Sequence, residues 1–215
     1  MPRVMVFIVA LLCVASAIAQ SSPYTNRAQA LKGLTAQDAT QRAEALSWLA
    51  NHGKPEDGKI LQQRLFDENP LVRSVAEEGL WLLWSRSGDK AIDALMARGV
   101  EEMQAGRIRE SIATFSEVIQ RRPAFAEGWN KRATALFIAR DFRKSLADCD
   151  EVMKRNPYHF GALAGYGQIY FQQEQYDRAI KYWRRALQVN PNMLSLEVNI
   201  KAAEQLMAAS PRQST

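Results

Sequence analysis

The sequence predicts an all-α protein, a right-handed α-solenoid of three helix hairpins with a C-terminal capping helix, preceded by a further helical segment. Three observations predict it. Pro123, Pro157 and Pro191 stand thirty-four residues apart, and the stretches between them superimpose without a gap, as in a chain of stacked repeats. Within each stretch apolar residues recur three and four apart, the spacing of a helix with one buried face. Each proline follows the second helical pattern of its stretch, where it pushes the preceding residue out of helical conformation and ends the helix.

The chain begins with a different kind of segment. Val4 to Ala19 is an unbroken run of sixteen apolar or small residues, preceded by Arg3 and ending in Ala17-Ile18-Ala19 before Gln20. This outline predicts a secretory signal peptide over residues 1–19, cleaved after Ala19. A retained membrane anchor is the alternative, but the run falls short of the roughly 20 residues a bilayer span needs. Leu12, rather than a small residue, precedes Cys13, which disfavours lipid anchoring. The short tails, residues 20–22 and 210–215, are expected to be disordered.

Residues 24–88 read as helical but keep a different period. Leu34, Asp38, Arg42, Ala45 and Leu49 correspond, thirty-one residues later, to Leu65, Asn69, Arg73, Ala76 and Leu80. Asn69 is placed to cap a helix that opens on Pro70, where proline's missing amide is not needed. The stretch Asp67-Glu68-Asn69-Pro70-Leu71-Val72-Arg73 resembles the turn and second-helix start of a HEAT-type repeat, with its recurring arginine. Leu80, Leu83 and Trp84 share one side of the last helix of this segment. No Pro/Gly/Ser linker follows it, so the segment is expected to dock on the first unit of the solenoid as one continuous stack.

The three units span residues 92–125, 126–159 and 160–193. Their fourth positions are Leu95, Trp129 and Leu163; their eighth positions are the small residues Gly99, Ala133 and Gly167, which let paired helices approach closely. The second helices carry Ser111, Ser145 and Ala179, then Phe115, Cys149 and Trp183. One hairpin cannot cover both of its faces, so the three must stack. Leu196, Ile200, Ala203 and Met207 fall on one stripe of a helix over 194–209, expected to cap the open end with a polar back.

The period, the Trp129 and Tyr170 positions, the spacing of Ala179 and Trp183 and the terminal prolines resemble the tetratricopeptide repeat family over residues 92–193. Serine in place of alanine at 111 and 145, and Cys149 in a slot that is normally aromatic, are the departures. The resemblance implies a concave groove lined by the first helix of each unit and used to bind a protein or peptide. Carrying the inward-facing positions over gives Met96, Val100, Asn130, Lys131, Thr134, Ile138, Ala164, Gln168 and Gln172 as the candidate partner-binding residues. The family's clamp for a terminal carboxylate wants cations and an amide where this chain has Met96, Val100, Gly161 and Gly165. An extended or helical segment with apolar anchors suits the groove better.

Composition narrows the function further. Of 215 residues 47% are hydrophobic and the formal charge is +5; losing Arg3 with the leader leaves +4. The basic residues are dispersed, and the pairs Arg121-Arg122, Lys154-Arg155 and Arg184-Arg185 fall late in helices, where cations complement the helix dipole. No clustered basic face points to nucleic acid. Cys149 is the only cysteine after Cys13, so no internal disulfide forms, and its repeat position points it into the core. His52 and His159 have no partner at metal-ligand spacing, His159 falling in a connecting turn, and no phosphate loop or nucleophile elbow is present. Trp129 and Trp183 stand at core positions. The sequence therefore predicts a non-catalytic scaffold without metal or cofactor, exported and acting in envelope assembly; a membrane-tethered assembly or regulatory factor is the alternative.

Overall fold

The computed structural model describes residues 22–209, and among these every regular element is helical. The expected signal peptide and the expected disorder of residues 20–21 and 210–215 lie outside the described residues. Four helices form the N-terminal segment: α1 Arg27–Gly33, α2 Ala39–His52, α3 Gly58–Arg64 and α4 Pro70–Ser85, with a short 3-10 turn at Pro55–Asp57. Three hairpins follow, α5 Lys90–Gln104 with α6 Ile108–Arg121, α7 Ala126–Ile138 with α8 Phe142–Arg155, and α9 Phe160–Gln172 with α10 Tyr176–Val189. The last helix is α11 Leu194–Ala209.

The first and third hairpins close because the large residue of the second helix meets a glycine in the first. A Cβ on Gly99 would lie 2.5 Å from the Phe115 ring, and one on Gly167 would lie 2.3 Å from Trp183. In the middle unit both partners change together: Ala133 carries the methyl and Cys149 replaces the aromatic. The cysteine in the aromatic slot is thus a volume exchange that keeps the interior filled. Burial pushes the Cys149 thiol up to about 12, with Asp148 and Asp150 adding to the effect.

The turn inside each hairpin is built the same way three times. Gly106, Arg140 and Glu174 take positive φ of 75°, 61° and 59°. The next amide then reaches back to close the helix, from Arg107 to Glu102 O at 2.8 Å, Asp141 to Leu136 O at 2.9 Å and Gln175 to Tyr170 O at 2.9 Å. Only the first turn has the glycine that tolerates this conformation without strain. Arg140→Gly should relieve roughly 1 kcal/mol of strain but lose the place of the Arg140 guanidinium 5.7 Å above the Phe142 ring, a contact worth about 0.5 kcal/mol. A slightly higher urea midpoint at unchanged slope is expected, and a lower midpoint would mean that the ring contact outweighs the strain.

In the N-terminal segment the thirty-one-residue correspondence has a physical cause. The Arg42 guanidinium donates to Ala36 O and Gln37 O of its own turn, at 3.0 and 2.8 Å, and to both carboxylate oxygens of Asp67 in the next turn, at 3.1 and 2.8 Å. Arg73 repeats the pattern on Asp67 O and Glu68 O, at 3.0 and 3.1 Å. Its third bond goes to Asn192 Oδ1 at 2.9 Å, and Asn192 Nδ2 returns one to Leu65 O at 3.2 Å. The acceptor that a following helix pair would supply comes instead from the turn that ends the last hairpin.

The expected continuous stack on the first unit does not form. The helix α4 lies against the turns between units and against the N-terminal ends of α7 and α9: Trp81 and Trp84 pack on His159 and Phe160, and Trp81 approaches Gly161 so closely that a Cβ there would lie 2.4 Å from the ring. The corner before α5 sets this course. Gly88 has φ of 77°, and Asp93 Oδ1 accepts from both the amide and the hydroxyl of Ser87, at 2.9 and 2.6 Å. The large apolar side of α4 was legible in the sequence; its target, a histidine and a phenylalanine at the head of α9, was not.

Two further expectations change. Trp183 is a core residue, but Trp129 is half-buried, with its indole donating to Pro123 O at 2.9 Å and the Arg132 and Arg155 guanidinium groups over its ring at 5.1 and 4.8 Å. On α11, Leu196, Ile200 and Ala203 are buried, whereas Met207 is exposed, and Leu194 and Val198 stand 66% and 67% exposed on the outer side. The back of the capping helix is therefore partly apolar.

Candidate interaction surface

The groove residues expected from the sequence separate into four groups. Met96 is buried among Ile92, Phe115 and Phe125, and Val100 packs half-buried against the same cluster. Met96 is thus a core residue rather than a contact residue, because α5 turns its fifth unit position toward α6. Ala164 and Gln168 are half-buried on α9, and Ala164 O accepts the Trp183 indole proton at 3.3 Å. Thr134, Ile138 and Gln172 are exposed on the later turns of α7 and α9, Ile138 at 44%.

Asn130 and Lys131 belong to a network the sequence did not disclose. At its centre is Glu127, 2% exposed. Asn130 Nδ2 lies 3.2 and 3.1 Å from its two carboxylate oxygens, Lys131 Nζ is 3.3 Å from Oε1, and His159 Nε2 is 3.0 Å from Oε2. The His159 ring is fully buried, and its Nδ1 accepts the Ala162 amide at 3.1 Å, capping the start of α9. A nitrogen that accepts an amide proton carries none itself, so the proton sits on Nε2 and is donated to Glu127. Trp84 stacks on the same ring, with centroids 4.6 Å apart and planes at 24°. Burial raises the Glu127 carboxyl, but the hydrogen bond and electrostatic pull of His159, then the Lys131 charge and the Asn130 amide, hold it below the usual carboxylate value.

Asn130 and Lys131 are accordingly turned toward the junction with α4, and Asn130 is not available to a groove ligand. One signal could have found the network. Phe125 and Met193 occupy the unit position that His159 fills, and a polar residue at a position otherwise apolar requires a buried partner. Among the described residues no group of three or more His, Cys, Asp and Glu is arranged to hold a metal ion.

Models of the tetratricopeptide repeat match residues 96–159 and residues 163–193. A TPR repeat-containing protein of Rhizobium etli is 34% identical over 133 residues, covering 62% of this chain and 65% of that protein. A small glutamine-rich tetratricopeptide repeat-containing protein of Dictyostelium discoideum is 27% identical over 132 residues, covering 60% of this chain and 40% of its own length. The chain thus spans less than two thirds of these curated relatives. Among solved structures, the first TPR of Spaghetti (RPAP3) bound to HSP90 peptide SRMEEVD superimposes with a TM-score of 0.53 at 21% identity, over 55% of this chain and 94% of that one. MamA protein superimposes with a TM-score of 0.50 at 15% identity, over 71% of this chain and 83% of its own. The three in-phase hairpins define an α-solenoid of the kind that presents repeated helix faces. Residues 96–159 and 163–193 are tetratricopeptide repeats.

Proposed function

We propose that the protein is a non-catalytic interaction scaffold that takes an extended or helical segment of a protein partner on the part of the concave face left open by α4. One observation carries this reading: on the later turns of α7 and α9, Thr134, Ile138 and Gln172 are exposed, and Gln168 of α9 is half-buried. An apolar side chain among polar neighbours on repeated helices suits a partner with a spaced apolar anchor. The Spaghetti domain similar to this chain is bound to an HSP90 peptide, which supports peptide binding as the general use of such a surface. A grip on a terminal carboxylate is not supported, because Met96, Val100, Gly161 and Gly165 stand where the family's clamp has polar or cationic groups.

Ile138→Glu tests the reading. The side chain is exposed, so melting should move by no more than about 0.5 kcal/mol, while capture of the partner by the full-length protein in its native cells should fall roughly tenfold. Equal capture by the variant would remove this face from the function.

The run Val4 to Ala19 supports export, with envelope assembly as the setting. A native protein beginning at Gln20 is the expected result of sequencing its N-terminus; retention of residues 1–19 would favour the membrane-tethered alternative. Among the described residues no helix is long and apolar enough to cross a membrane.

A further inference from the structure

The packing of α4 across the inter-unit turns leaves a cleft of about 500 Å3 between the N-terminal segment and the repeats. That volume lies within the range of about 300–1,000 Å3 usual for ligand sites. Leu80, Leu83 and Trp84 of α4 and Phe125 of the opposite turn give it an apolar floor. Its charge is one-sided. Lys59, Arg86, Arg122 and Arg155 line it, and no aspartate or glutamate does.

The four cations are not equivalent. Arg86 is held at the C-terminal end of α2, donating to Ala50 O and Asn51 O at 2.6 Å each, and Arg155 pairs with Glu151 at 2.6 Å. Lys59 and Arg122 are exposed, and among the described residues neither side chain has a hydrogen-bond or ion-pair partner. They come from different walls, Lys59 from α3 and Arg122 from the turn after the first hairpin. A compact anion would need donors converging on one point. Cations on separate walls above an apolar floor fit a longer ligand, with carboxylates on either side of a large apolar group.

We propose that this cleft is a second binding site, distinct from the concave face, for an acidic peptide segment carrying one aromatic or large aliphatic side chain. The apolar side chain seats against Leu80, Trp84 and Phe125, and the flanking carboxylates meet Lys59 and Arg122. The site uses both parts of the molecule, so it exists only while the N-terminal segment is docked.

The test is fluorescence anisotropy with the full chain and a labelled, end-blocked heptapeptide of six glutamates around a central tryptophan. Saturable binding is expected, weakening as sodium chloride rises from about 50 to about 300 mM. Lys59→Glu combined with Arg122→Glu should weaken it about tenfold or more without changing helical circular dichroism or melting, and Ile138→Glu should bind like the unaltered protein. The all-glutamate heptapeptide should bind much more weakly. Absence of saturable binding, equal binding of a peptide with lysine in place of glutamate, or unchanged binding by the double reversal would overturn the proposal. Complete displacement by inorganic phosphate or pyrophosphate at low millimolar concentration would also overturn it, in favour of a small-anion site.

Discussion

Trp183→Ala should lower the unfolding free energy by roughly 3–5 kcal/mol, the largest loss expected from any single truncation in the repeats. The ring is 1% exposed, and it fills the space over Gly167 where no Cβ fits. It also packs on Phe171 with ring centroids 5.5 Å apart. Alanine leaves a cavity the size of an indole, and neighbouring backbone can collapse into it only in part. The carbonyl of Ala164 loses its indole donor as well. The damage falls on the hairpin whose closing turn carries Asn192, the partner of Arg73, so the contact of α4 with that hairpin should loosen with it. Urea melts of the two proteins measure the loss; a change below about 1 kcal/mol would mean that the ring is not seated as described.

Glu127→Ala should cost roughly 3 kcal/mol for a different reason. The change removes little apolar volume but leaves the buried Nε2 proton of His159 and the Asn130 amide without their acceptor. Freed of Glu127, the His159 ring loses the group that fixes its orientation beneath Trp84 and at the head of α9. Trp84 fluorescence and protease sensitivity of the α4 to α5 corner should both rise below the melting transition; a variant that melts lower with an undisturbed corner would confine the role of the network to the α7–α9 contact.

The same network sets a dependence on pH. Glu127 has a folded value below its unfolded value of about 4.3, so the unfolded chain binds its proton first as acid is added. Its contribution is complete above that unfolded value and is lost as pH falls through the lower folded one. Asp67 moves in the same direction, burial opposing and the Arg42 hydrogen bonds prevailing. Stability should thus fall below about pH 4, and Glu127→Ala should show a shallower fall.

The sequence carried the repeats because their cause is local. A period of thirty-four, a small residue opposite a large one and a proline at each helix end recur in register, and each acts within a single hairpin or between neighbours. Asn69 as a cap before Pro70 is local in the same way, its side chain accepting from the Leu71 amide at 2.9 Å. The concave face was legible only as a list of positions. Met96 and Asn130 are assigned to it by their place in the unit, yet one is turned into a core and the other toward a buried carboxylate by contacts that no unit repeats. Trp81, Trp84 and Arg73 show the same limit. Their apolar or cationic character is plain, but nothing in the one-dimensional record marks their partners, the turn residues His159 and Asn192 and Gly161 in the first turn of α9.

The bond from Arg73 to Asn192 spans 119 positions of the chain, and that from Asn192 to Leu65 spans 127. A solenoid ordinarily behaves as a spring whose units answer only to those beside them, and which can fray from either end. Here the opening segment is strapped to the closing turn, so pulling the coil longer must first break the strap. Folding inherits the same condition, since the strap closes only after the last hairpin exists, and such distant pairings slow the search. Unfolding should then be more nearly all-or-none than in an open array of equal length, and the curvature of the concave face should be held by its two ends.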